Sequence, residues 1–178
     1  MSSQETKKAM DCAFAFATAG AGTSFSLRSF LRIPIVDAVP QTLIVKIMSD
    51  QLAAIYGLSS LRELTIFTGK IVGATGGIKL ASEVVALVPL PLIGAGTSAV
   101  TSFTLQLSVG IVLIIVFELL RENIIHESYI RNITLDDMGI LLGFATEVMS
   151  EIIHMEDGVN AIKMAVEKFK LQNVPVAL

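Results

Sequence analysis

Two glycine-lysine passages, Gly69-Lys70 and Gly73-Ala-Thr-Gly-Gly-Ile-Lys79, carry the residue types of a phosphate-cradling loop. Such a loop needs G-x-x-x-x-G-K, then Ser or Thr, behind a strand, so that backbone N–H groups and the lysine converge on the phosphates. Here Ile71 follows Lys70, Leu80 follows Lys79, and the flanks read as helix. The glycines are therefore read as loosening or closely packing a helix joint. His126 and His154 lie 28 residues apart, and neither has the ligand set of a helix-face zinc site, although Glu127 and Glu151 are near in sequence. Asp136-Asp137 is a carboxylate pair, but adjacent residues point to different faces of a helix, where they serve as helix-start charge. Glu147 and Glu151 share a face at i, i+4 and read as solvated. Ser and Thr are plentiful, yet no G-x-S-x-G elbow occurs. The chain is read as a non-enzyme with no cofactor and no metal site.

Composition narrows the partners. Apolar residues make up 53% of the 178 and charged residues 16%, against a usual charged share of about 25%. Mean hydropathy is +0.72. Little polar surface is left to cover a sphere, which points to a membrane or a permanent partner, a second copy included. Net charge is −3 and the basic residues are scattered, so nucleic acid is not expected. The single cysteine, Cys12, fits a reducing compartment and reads as a small buried hydrophobe. The seven methionines mostly lie on apolar stripes. Near the start, Lys7 and Lys8 precede an apolar stretch, but Asp11 interrupts it and Ala, Thr and Gly dominate it, unlike a secretory signal. A cytoplasmic location, or the cytoplasmic face of a membrane, is expected.

Periodicity is helical almost throughout, so the elements that must position any site are helices. The expectation is an all-α fold, a six-helix bundle around a central hydrophobic hairpin, with residues 1–178 forming one domain. A first, weak helix covers Gln4 to Ala19 and ends in the flexible Gly20-Ala21-Gly22. Pro34 keeps its predecessor extended, and Asp37 caps the helix from Ala38 to Tyr56. That helix should stop at Gly57, which takes a left-handed cap without a Cβ penalty. Ser60 and Glu63 form a capping box for the next helix. Pro89, Pro91 and Gly94 make the corner of the hairpin. A long helix follows from Gly96 to Ile125, then Thr134 to Ile153, capped by Thr134 and Asp137, and then Asp157 to Lys170.

The dominant feature is a charge-free run: from Val84 to Phe117, thirty-four residues contain no Asp, Glu, Lys, Arg or His. Its second arm, Ala95 to Phe117, is about 34 Å long as a helix, enough to cross a bilayer. The first arm is hindered by Lys79 and Glu83, because a charge at the bilayer centre costs about 2.5–3.5 kcal/mol. Thr97, Thr101, Thr104 and Ser108 form a small polar stripe that permits close packing in lipid or in water. The strongly apolar part around Ile111, Ile114 and Ile115 is short, closer to a core helix. Both readings, one marginal span or the central helix of a bundle, stay open.

Three passages in order carry a resemblance. They are Ile33-Pro34-Ile-Val-Asp37 with the helix ending in Ile55-Tyr56-Gly57, the paired Gly76-Gly77, and Leu87-Val-Pro89 through Ile93-Gly94 to Gly110 and Phe117-Glu118. Over residues 31–122 the chain resembles a bacterial domain family of uncharacterised function, often fused behind or encoded with small GTPase domains, to which the YcjF-like inner-membrane proteins belong. Helical regions of immunity-related GTPases look distantly similar. The resemblance implies a helical module that works beside a GTPase, often at a membrane. This chain carries no G domain and adds helices over residues 133–170, so a GTPase partner would act in trans, with membrane lipid as the second expected partner. The alternatives are a soluble helical interaction protein with a buried hairpin core and a pore-forming or toxin-like protein whose hairpin inserts after a trigger.

Overall fold

The computed structural model describes residues 3–31, 38–58, 66–70, 97–154 and 157–173. These are all-α: α1 (Ser3–Leu31), α2 (Ala38–Ile55), α3 (Thr97–Arg121), α4 (Glu127–Asn132), α5 (Leu135–Ile153) and α6 (Gly158–Asn173), with a further helical run at 66–70 and no strand among the described residues. The second arm of the charge-free run is α3, and it is the axis of the fold. Every residue from Gln106 to Leu120 is buried, and Ile111, Ile114 and Ile115 are fully so. Helices α1, α2, α5 and α6 all pack on it, α1 most extensively. A helix this apolar cannot show a face to water, so it needs cover on all sides. The first arm and its corner, with Gly76, Gly77, Pro89 and Gly94, lie outside the described residues, as do Pro34, Asp37, Ser60 and Glu63.

Helix α1 corrects the sequence reading. It runs for 29 residues, through Gly20-Ala21-Gly22, where a flexible end is expected. The reason is packing. Ala9, Ala13, Ala17 and Gly20 are buried at steps of four, four and three, making a shallow face that lets α3 approach closely. A Cβ on Gly110 would stand 2.8 Å from the Ala13 Cβ and 3.3 Å from the Met48 Sδ. A Cβ on Gly20 would meet the Gln106 amide at about 2 Å. Among the described glycines these two leave the least room for a Cβ, Gly110 against α1 and Gly20 against the Gln106 side chain.

The helix ends follow local chemistry. At the end of α2, Gly57 (φ 71°) closes a Schellman motif, with Leu58 N–H donating to Ala53 O at 2.7 Å and Gly57 N–H to Ala54 O at 3.2 Å. The same motif ends α3: Ile124 N–H donates to Leu119 O at 2.9 Å and Asn123 N–H to Leu120 O at 3.0 Å, with Asn123 at φ 56°. Asn tolerates the left-handed region better than most residues. Hence the long helix stops at Arg121, not Ile125, and the short α4 follows where no helix is expected. Helix α5 opens with the expected capping box: Asp137 N–H donates to Thr134 Oγ1, and Thr134 N–H donates to Asp137 Oδ2. Asp157 caps α6 by accepting from Val159 N–H at 3.0 Å.

The close approach at Gly110 separates two otherwise identical substitutions. Gly143, on the exposed side of α5, has open space where a Cβ would go. Gly143→Ala should therefore raise stability by about 0.5–1 kcal/mol in urea unfolding, the usual gain for a helical glycine. Gly110→Ala gains the same propensity yet forces α1 off α3, so it should lower stability by about 1 kcal/mol or more. Equal gains at both positions would rule out the tight α1–α3 contact.

A buried carboxylate at the end of the central helix

Three helices meet on one charged side chain. Glu118, in the last turn of α3, is fully buried. Its Oε1 accepts from the Thr6 hydroxyl of α1 at 2.6 Å and from the Tyr56 hydroxyl, just past α2, at 3.0 Å. Its Oε2 lies 3.0 Å from Arg121 Nη2, an ion-pair distance without hydrogen-bond alignment. Arg121 also pairs with Glu5 through Nη1 and sits 5.7 Å from the centre of the Tyr56 ring. The Tyr56 ring packs edge-on against Phe117. Burial first, then the neighbouring Glu118 charge and its hydrogen bond, push the Tyr56 phenol well above its ordinary range. A lone carboxylate in such a place would be costly; two hydroxyls and a guanidinium offset that cost. Glu118 is sealed, so no substrate reaches it unless the helices part. The arrangement is a latch between α1, α2 and α3.

A second polar group in the core is left without partners. Gln106 is fully buried, and neither its Oε1 nor its Nε2 makes a hydrogen bond. An unmet buried amide costs about 1–3 kcal/mol for each group. It lies in the space left by Gly20. On another side of α3, Ser108 donates to Thr104 O at 2.8 Å and also contacts Met149 Sδ of α5 at 3.1 Å. Thr104 is buried and its hydroxyl is unpaired. Thr97 and Thr101 belong to α3, but their side chains lie outside the described ones.

The other candidates take structural or solvated positions. Lys70 donates to Arg131 O, closing the end of α4 at 2.7 Å. Asp136 is exposed, and Asp137 caps. Glu147 pairs with Lys168. His154 Nδ1 lies 2.7 Å from Ser150 O. His126 is exposed beside a cavity of about 450 Å³ whose walls include Ile125, Tyr129, Asn132 and Phe169. In that wall, burial and the Asp137 carboxylate push the Tyr129 phenol up to about 12. Cys12 is half-buried, its thiol 3.7 Å from Gln51 Oε1 and raised by burial. Met10, Met48, Met138 and Met149 are core, whereas Met164 is exposed. No group of three His, Cys, Asp or Glu is placed to hold a metal ion among the described residues.

Sequence reasoning passed over Thr6 and Gln106, and took Glu118 only as half of an aromatic-acid pair. The available signal was a Glu placed where the charge-free run ends, with Arg121 three residues on. If the latch holds the fold, Glu118→Ala removes the acceptor that Thr6 and Tyr56 share and one of the two carboxylates beside Arg121, and should cost about 3 kcal/mol in urea unfolding. Tyr56→Phe removes one donor and should cost about 1 kcal/mol. A Glu118→Ala loss no larger than that of Tyr56→Phe would contradict the shared role. At α5, the Thr134 side chain and backbone hydrogen bonds hold Asp137 below its ordinary value. Its stabilisation is present above the ordinary carboxylate pKa and is lost as pH falls through the lower folded value. The stability difference between the chain and Asp137→Asn should therefore be full at neutral pH and shrink in acid; a constant difference would argue against the cap. Compared with protein-family models, curated proteins and solved structures, the chain matches none of them.

Proposed function

We propose that this chain is a non-enzymatic helical module that serves a GTPase supplied in trans and associates with a membrane. The observation that carries the membrane half is α3 itself. From Ser102 to Arg121 its mean hydropathy is 2.3 over 20 residues, long and apolar enough to span, yet 89% of that window is buried inside the protein. Membrane entry would then proceed by exchange: the covering helices part, and lipid takes their place around α3. Glu118 and Arg121, at the end of the window, would sit near headgroup level, where charge is tolerated. The GTPase half rests on the resemblance over residues 31–122, and a G domain encoded beside this chain is its expected genetic signature.

A second reading is favoured by the same burial. A helix so fully covered also suits a helical interaction protein with no membrane role, in which α3 is simply core. Flotation separates the two. Purified without detergent and mixed with vesicles of phosphatidylcholine and phosphatidylglycerol, the chain should rise with the lipid. If it stays at the bottom of the gradient at neutral and acidic pH and unfolds in one cooperative step, the membrane half is lost and the interaction module stands.

A further inference from the structure

The face of α3 beneath α1 combines two features that do not suit its present cover. Gln106 offers two donors and an acceptor, all unmet, although it is fully buried. One turn away on the same face, Gly110 has no Cβ, so another helix backbone can come close. The cover is a row of small residues on α1, Ala9, Ala13, Ala17 and Gly20, with Met48 of α2 beside Gly110, and it gives the amide nothing to bond. In water the arrangement is a weak point of the core. In lipid it is a recognised route to helix pairing: a small residue for close approach and a polar side chain that bonds across the interface.

We propose that this face, centred on Gln106 and Gly110, docks against the same face of a second copy when α1 and α2 are displaced at a membrane. This rests on the membrane half of the function proposed above. The occupant follows from the chemistry. An amide carries both donors and acceptor, so two Gln106 side chains facing each other across a two-fold axis satisfy one another, which a purely apolar partner cannot do. Glycine at 110 in both copies allows the backbones to cross closely enough for the amides to meet. In the closed fold α1 occupies the face and leaves Gln106 unpaired; in the opened form the second copy pairs it.

The test uses the full chain, dye-labelled at its N-terminal amine and bound to phosphatidylcholine–phosphatidylglycerol vesicles, with subunits counted by stepwise photobleaching and the floated fraction measured in parallel. The native chain should float and bleach mainly in two steps. Gln106→Met keeps the volume and loses the amide, so it should float equally while its dimer association weakens about three- to tenfold, the effect expected of one interhelical polar contact in lipid. Gln106→Met that floats and bleaches in two steps as often as the native chain at the same surface density overturns the dimer face and leaves the membrane reading standing. A native chain that does not float at all overturns both. A second measurement needs no lipid: because the amide is unmet in the closed fold, Gln106→Met should raise the urea midpoint, and a lowered midpoint would mean that the bundle already satisfies Gln106.

Discussion

A helix with no polar face sets the terms for everything around it. From Gln106 to Phe117, α3 buries every residue, and water can be excluded from all its sides only by several helices at once. That requirement explains why α1 is long, why its inner face is made of Ala and Gly, and why α5 and α6 close the opposite side. It also places the polar exceptions. Ser108 turns toward α5, Gln106 toward α1, and Glu118 waits at the end until three helices bring it partners. Each exception lies where two elements meet.

The two polar exceptions on the α1 side differ in kind. Glu118 is satisfied and links α1 and α2 to α3 through Thr6 and Tyr56. A charge buried with several partners specifies register, because sliding α1 by one turn would remove Thr6 and leave Oε1 with the Tyr56 hydroxyl as its one donor. Gln106 is unsatisfied and specifies nothing in the closed fold. Its presence weakens the same contact that Glu118 pins. Helix α1 is thus held firmly at one end of α3 and loosely along the rest.

What was legible in the sequence was local. Gly57 and the Thr134–Asp137 box were readable because caps depend on residues within a few positions, and the structure has both. The charge-free run announced α3, since composition alone marks a helix that must be covered. The length of α1 was not legible. Gly20-Ala21-Gly22 signals flexibility by itself, and only Gln106, far along the chain, shows that Gly20 is space kept for a side chain. The latch was hidden for the same reason: Thr6, Tyr56 and Glu118 have no sequence relation that announces their meeting. Asn123 ended α3 early through a left-handed residue that carries no glycine to flag it.

The position of Tyr56 makes the molecule its own optical reporter. The chain has no tryptophan and only two tyrosines, so near-ultraviolet emission comes from Tyr56 and Tyr129 alone. A phenol hydrogen-bonded to a carboxylate emits poorly, and Tyr56 bonds to Glu118 in the closed arrangement. Parting α1, α2 and α3 breaks that bond and brightens one of only two fluorophores. The state of the bundle is thereby written into its intrinsic fluorescence, with no label attached.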